Sequence, residues 1–410
     1  LLIQQKGKIF LINSTWEFNA IIYFLTLSSK RFVMVNDKFQ DIRPYIEDEI
    51  GPALNRIAKH PLLSSISSYL FPDQKPEELG HFIASLNSVD EFQTKAMLPA
   101  IQKIIADTAR TLSYAGIDQL KNDKKHLFIS NHRDILLDSG IIQIIFCLND
   151  IRTSEMAVGD NLITDTFIED IARLNKMIRV VRNTNPRELY NSSLILSQYI
   201  RQIISQDISS AWIAQRNGRT KDGVDLTEQG LLKMLEMSGD GDFVKDFDEL
   251  SIIPVSISYE FEPCDLLKSK ELYISRRKKY VKNPGEDLNS ILTGIMQYKG
   301  NIHLNFCNPI SLEVIQVCSL LEKNERFKSL ADIIDRKIIE SYQIWKNNYI
   351  AYDILYSTDK YSRHYSNSEK QSFISYVKYK ISDTDGNPKE MEEIFLSIYA
   401  NPILSKEKVD

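Results

Sequence analysis

Cysteine is sparse and scattered in this chain. The four residues Cys147, Cys264, Cys307 and Cys318 are too far apart for metal-ligand spacing or for the dense pattern of a disulfide scaffold. Six histidines are equally dispersed, so neither a metal site nor a cofactor is expected. The cysteines read as reduced core residues of a cytoplasmic protein. No apolar run reaches the roughly 18 residues needed to span a bilayer, and residues 20–27, the nearest approach, fall well short. An excess of positive charge is also missing. Fifty Lys and Arg against 55 Asp and Glu leave a net charge of -5, which excludes a general nucleic-acid binder and confines any basic site to a local patch. Neither an internal repeat nor a low-complexity tract interrupts the 410 residues.

What remains is a globular composition, 43% hydrophobic and 26% charged, long enough for one large domain or two to three ordinary ones. The chain opens at Leu1, while Met34 precedes a well-patterned acidic segment. Residues 1–33 are therefore expected to be upstream, non-native sequence, with Met34 the natural start. Ser28-Ser29-Lys30-Arg31 is a poor small-residue site for signal cleavage.

Residues 34–115 read as a helical N-terminal region. Ile46, Ile50, Leu54 and Ile57 fall at helical spacing. Residues 62–71 are amphipathic and nearly uncharged, which suits a core helix or a face lying on a membrane. A helix is expected over about 94–114, ended by Gly116. From there to residue 310, short apolar runs at 127–129, 155–158, 177–183, 211–215, 251–260 and 302–306 alternate with helical stretches. That alternation predicts an α/β fold with a mostly parallel sheet flanked by helices. Residues 311–410 read as a helical, aromatic-rich C-terminal extension.

Residues 125–140 organise the rest. The run Leu127-Phe128-Ile129 makes a buried strand, Ser130-Asn131-His132 follows at once, and an apolar run of helical length begins at Ile141. A strand that ends in Asn131-His132 and turns into a helix places an imidazole at the carboxyl edge of the sheet, where ligands bind in open α/β folds. An Asp a few residues on can accept the other ring N–H and fix the tautomer of a general base. Two more strand ends carry cations: Arg182, and Arg219-Thr220-Lys221 just after Asn217-Gly218. Gly218 and Gly223 would let backbone N–H groups approach a phosphate or carboxylate closely. A base beside several cations suits a hydroxyl nucleophile on a substrate bearing an anion.

In these blocks the chain resembles the glycerolipid acyltransferases, the superfamily of glycerol-phosphate and lysophosphatidate acyltransferases. Asn131-His132 with Asp138 is similar to the first block, an Asn-His followed by a catalytic Asp, and Gly116-Ile117-Asp118-Gln119-Leu120 to its lead-in. Residues 178–182 resemble the second block, an apolar strand ending in Arg. Asn217-Gly218-Arg219-Thr220-Lys221 resembles the third, and residues 252–260, with Pro254, the fourth, a strand whose Pro helps shape the acyl site. Two departures stand out. The family spacing from His132 would select Leu137, so Asp138, one residue later, is the preferred partner and Asp134 the alternative. Asn217 stands where many members have Glu, which weakens assignment to the lysophosphatidate branch.

The resemblance implies acyl transfer from an acyl carrier protein or coenzyme A thioester to a hydroxyl of a glycerol-phosphate or lysophospholipid-type acceptor. His132 would be the general base, Asp138 or Asp134 its orienting carboxylate, and Asn131, Arg182, Asn217, Gly218, Arg219, Thr220, Lys221 and Pro254 the substrate-binding residues. Two alternatives are a hydroxyacyl amino-acid lipid as acceptor and a catalytically idle lipid- or acyl-carrier-binding protein of the same fold. The tripeptide His132-Arg133-Asp134 mimics a kinase catalytic loop, but the required Asn is Ser139, and Asp242-Phe243-Val244 is no Asp-Phe-Gly. Lipid substrates and the lack of a spanning segment together predict a peripheral protein at the inner face of the cell membrane. Its attachment would come through residues 62–71 or the basic Arg276-Arg277-Lys278-Lys279.

Overall fold

The computed structural model describes residues 2–5, 8–11, 37–70, 75–120, 124–182 and 184–409. The apolar run 20–27, Met34, Phe71 and Asn183 lie outside them. Among the described residues nine strands form one sheet: β1 (Leu2–Gln5), β2 (Lys8–Leu11), β3 (Ala109–Ala115), β4 (Leu127–Ser130), β5 (Glu155–Gly159), β6 (Met177–Val180), β7 (Ala211–Ala214), β8 (Ile252–Tyr259) and β9 (Gly300–Phe306). Their order is β2-β1-β3-β9-β8-β4-β7-β5-β6. The seven strands from β3 onward are parallel to their neighbours except at β8–β9, and the hairpin β1–β2 extends the β3 edge. Helices flank the sheet, with helical N-terminal and C-terminal regions, so the expected α/β class describes the molecule.

The central strands are apolar because both faces of the sheet are covered. Every residue of β4 and β8 is buried. On one face Phe128, Trp212, Ile253, Val255 and Ile257 pack with the helices Leu98–Thr108 and Leu137–Leu148. On the other, Ile129, Ile213 and Ile252 pack with the helices Pro186–Ser205 and Lys323–Ser341. A third core joins the helices Glu47–Ala58, Leu62–Leu70 and Pro76–Ala84 to Thr166–Leu174, and a fourth joins the C-terminal helices Lys346–Leu355, Asn367–Ile381 and Pro388–Glu407. The helix Leu62–Leu70 buries Leu63 in that third core, while Leu62 and Tyr69 stay exposed.

One expected element changes type. The helix of 94–114 ends at Thr108, and Ala109–Ala115 is strand β3, beside β9. Apolar spacing in this segment fits both periods, and burial against the sheet decides for the strand. Gly116, at φ +75°, then turns the chain so close to β9 that a Cβ would lie 1.9 Å from the Phe306 carbonyl oxygen. The Asp242-Phe243-Val244 triplet is a helix start, with the Asp242 carboxylate accepting the Val244 and Lys245 N–H groups.

Candidate active site

Strand β4 stops at Ser130 while its neighbour β8 continues, and the Asn131 side chain carries the ladder one step further. Its Oδ1 accepts the Ile257 N–H at 2.8 Å, and its Nδ2 donates to the Ile257 carbonyl at 2.9 Å and to Asp225 at 3.1 Å. Both amide hydrogens are spent and the residue is fully buried. Asn131 is therefore a stitch beneath the site, with no free donor left on its amide.

His132 follows on the opposite face of the strand, the face of Phe128 and Ser130. Its ring stands edge-on to Trp212, centroids 5.8 Å apart, and the Trp212 indole N–H donates to Ser130 Oγ at 2.9 Å. Nδ1 lies 2.8 Å from Asp138 Oδ2, so Nδ1 carries the shared hydrogen and Nε2 keeps a lone pair. No hydrogen bond engages Nε2 among the described residues, and the side chain keeps 14% of its surface open.

Asp138 sits in the first turn of the helix Leu137–Leu148, wholly buried. The same Oδ2 accepts the backbone N–H groups of Arg133 at 2.6 Å and Asp134 at 2.9 Å, and Oδ1 accepts the Tyr259 hydroxyl at 2.7 Å. Burial alone would raise this carboxyl, but the bonds from His132, the Asp134 N–H and Tyr259 outweigh it and hold it below the usual carboxylate range. Asp134 has another task. Its Oδ1 accepts the Leu136 and Leu137 N–H groups at 2.9 and 2.8 Å, capping the helix. The structure thus places Asp138, and not Asp134, at His132. Leu137, the position of the family spacing, is core.

Parallel pairing brings several strand ends to one edge. Strands β4, β7, β5 and β6 are parallel neighbours, so His132, the loop after β7 and Arg182 share the carboxyl edge. The Thr220 N–H donates to the His132 carbonyl at 2.8 Å. Arg219 is 7% exposed, and its Nη1 is buried with no partner among the described residues. Lys221 pairs with Glu271, while burial and then the neighbouring Arg219 push its ammonium below the usual lysine value. Arg182 crosses the end of β5: a Cβ on Gly159 would meet its Nε at 2.7 Å. Burial lowers its guanidinium, against the pull of Asp160, Asp287 and Glu228. Gly218, at φ +78°, has open space around it, and Asn217 is exposed, its N–H 3.2 Å from Glu228.

Thr220 and Pro254 are placed differently from these cations. The Thr220 hydroxyl donates to Asp225 at 2.8 Å and is buried. Pro254 pairs in register with Ile129, and alternation along β8 points it away from Val255 and Ile257, to the sheet face opposite His132. Pro is tolerated inside this central strand because β9 ends alongside it, where the Cys307 N–H reaches the Pro254 carbonyl at 2.9 Å.

Beneath the site lies a buried ion network whose partners are far apart in sequence. Arg133, fully buried, bonds Asp225 and, at 3.1 Å, Glu262, and its guanidinium lies 5.3 Å from the Tyr342 ring centroid. Lys268 bonds Glu262 at 2.5 Å and the Arg133 carbonyl at 2.8 Å. Two cations face two carboxylates. Asp225 and Glu262 keep the Arg133 guanidinium well above its ordinary value despite burial. The C-terminal helices brace the same loop: Asn401 donates to the Asp222 carbonyl at 2.7 Å, and a Cβ on Gly223 would lie 2.2 Å from the Ile398 carbonyl oxygen.

On the His132 face of the sheet, a cleft is lined by Met97, Leu98, Ile101, Leu136, Gly140, Met156 and Met177, with Ser139, Gln143 and Asn175. As it stands it has room for little more than a water molecule.

No protein-family model matches the chain. No curated protein sequence matches it either. A solved structure similar to it is that of the 1-acyl-sn-glycerophosphate (LPA) acyltransferase PlsC from Thermotoga maritima, at 12% identity and a TM-score of 0.37, over 71% of this chain and 94% of that one. A likeness so slight carries no functional assignment.

Proposed function

We propose that this chain is an O-acyltransferase that moves a fatty acyl group from an acyl carrier protein or coenzyme A thioester to a hydroxyl of a glycerol-phosphate or lysophospholipid-type acceptor. The observation that carries the reading is His132, with Nδ1 bound to Asp138 and Nε2 unengaged, on a sheet edge shared with Arg219 and Lys221. Nε2 takes the hydroxyl proton as the acceptor oxygen attacks the thioester carbonyl. The tetrahedral oxyanion then collapses, the carbon–sulfur bond breaks, and the imidazolium returns the proton to the departing thiolate. Asp138, ionised through the whole cycle, stabilises the imidazolium between those steps.

Arg219, Lys221 and Arg182 bind the acceptor's anion, with the open backbone at Gly218 beside them. Before the anion arrives, Glu271 and Asp287 balance part of that charge, so binding exchanges an internal carboxylate for the ligand. The acyl chain enters the methionine-rich cleft beside the first turn of the helix Leu137–Leu148, where flexible thioethers yield space. No described helix is long and apolar enough to cross a membrane, and the lipid acceptor is met at the membrane surface by a peripheral protein at its inner face. No role for nucleic acid, metal or cofactor enters this chemistry.

The test offers purified wild type and His132→Ala long-chain acyl carrier protein or acyl coenzyme A with glycerol 3-phosphate, lysophosphatidate or a hydroxyacyl amino acid. Products are identified by mass spectrometry. A new ester made by wild type and lost in the variant supports the reading and names the acceptor. Absence of product with every pair refutes it.

A further inference from the structure

The helix Glu286–Met296 has two faces with opposite surroundings. Ser290 and Gly294 are buried, and Gly294 rests on the turn after His132: a Cβ there would lie 2.3 Å from Asp134 Oδ2. In the first turn, Asp287 accepts from Asn161 at 3.0 Å and lies close enough to Arg219 and Arg182 to shift or be shifted by them. At the far end, Gln297 donates to the Glu262 carbonyl and to Asp265, and accepts the Cys264 N–H at 2.8 Å. This helix covers the candidate site.

Its outer face is apolar. Leu288, Leu292 and Met296 recur every four residues, about half a turn away from Gly294, and are 59%, 46% and 63% exposed. Val281 before the helix and Tyr298 after it are also exposed. The chain entering the helix carries Arg276, Arg277, Lys278, Lys279 and Lys282 within a molecule of net charge -5. Arg276 and Arg277 share Glu390, and Lys282 pairs with Asp287 at 2.5 Å. Lys278 and Lys279 are exposed and have no ion pair among the described residues.

We propose that the Glu286–Met296 helix and the basic segment 276–282 form one docking face for an anionic lipid bilayer, holding the candidate site against the membrane. The inference rests on the acyltransferase reading for its purpose, not for its geometry. An apolar stripe continuous with a local basic cluster matches the acyl and headgroup layers of such a surface. A second copy of this chain would set the same cations against each other, which disfavours a self-dimer here.

The experiment is co-sedimentation of the full chain with phosphatidylcholine vesicles, with and without about one third phosphatidylglycerol. Wild type is expected to bind the anionic vesicles, and at least about tenfold more weakly the neutral ones. Leu288→Ser/Leu292→Ser/Met296→Ser is expected to weaken binding by about 10- to 100-fold. Because these side chains face solvent, the triple variant keeps its thermal midpoint. Lys278→Glu/Lys279→Glu is expected to weaken binding similarly and to flatten its salt dependence. Failure of wild type to bind anionic vesicles overturns the proposal, and so does a triple variant that binds as tightly as wild type. Unchanged vesicle binding with lost binding to purified acyl carrier protein overturns it too, by reassigning the face to that partner. His132→Ala is expected to bind vesicles like wild type, so a failed transfer assay with intact docking refutes the function alone.

Discussion

Replacing Asp138 with Asn separates the two acidic residues near His132 on chemical grounds. The Asp138 carboxylate accepts three N–H donors at Oδ2, from His132, Arg133 and Asp134, and the Tyr259 hydroxyl at Oδ1. An Asn whose carbonyl oxygen takes the three-donor position turns its NH2 toward Tyr259, and that hydroxyl can accept as well as donate. The fold therefore survives, at a cost of about 1–3 kcal/mol for weakened, formerly charge-assisted bonds. Catalysis is hit harder. The neutral amide cannot stabilise the imidazolium, and the loss approaches the roughly 10²–10⁴-fold of a disabled general base. Asp134→Asn behaves differently, since its Oδ1 keeps the Leu136 and Leu137 N–H groups. A charge at a helix start is lost and the new NH2 takes the place of the buried, unpartnered Oδ2, together costing about 1–3 kcal/mol of stability, while turnover stays within about threefold. The assay is initial-rate acyl transfer beside thermal unfolding of both variants. Collapse of turnover in Asp134→Asn, with wild-type-like turnover in Asp138→Asn, would refute the assignment.

Three further outcomes are expected. Asn131→Ala removes the stitch to β8 and leaves the Ile257 N–H and carbonyl unpaired; urea unfolding should show a loss of about 2–4 kcal/mol. Gly140→Leu projects into the methionine-lined cleft and should shift donor preference to shorter acyl chains by about tenfold or more, read by competition between donors of different length. His126 is buried at β4, with its imidazole lowered by that burial from 6.5 to about 4. The unfolded chain takes a proton near pH 6.5 and the folded one does not until about 4, so stability present at pH 7 is lost as pH falls through that window. Urea midpoints at pH 7 and 4.5 should show an acid loss smaller by about 2–3 kcal/mol in His126→Phe than in wild type.

The edge of the sheet was legible because its signals are local. An apolar triplet followed by Asn131-His132, and apolar runs ending in Arg182 or opening into Arg219-Thr220-Lys221, need only period and order to be read. Parallel pairing then brings those ends together. Strand β3 was not legible, because Leu112 continues the apolar face of the preceding helix, and the period-two pair Leu112 and Tyr114 is too short a signal to outweigh it until both pack on the sheet. Period two along β8 does place Pro254 with Ser256 and Ser258, opposite Val255 and Ile257, so its place on the sheet face away from His132 could have been foreseen. The contacts that make the site rigid are of another kind. Tyr259 meets Asp138 across 121 residues, and Arg133 meets Glu262 across 129; no local spacing encodes such pairs. The one hint was a charged tripeptide, His132-Arg133-Asp134, between two apolar runs, where an unpaired cation would be too costly to bury.

The most direct test of the account is thiol release from an acyl thioester by wild type and His132→Ala, each with and without the hydroxyl acceptor, with circular dichroism to verify the fold. Acceptor-dependent release by wild type is expected, falling by at least about 100-fold in a folded His132→Ala. Equal release from both proteins would contradict the role of His132, and with it the acyltransferase mechanism built on that imidazole.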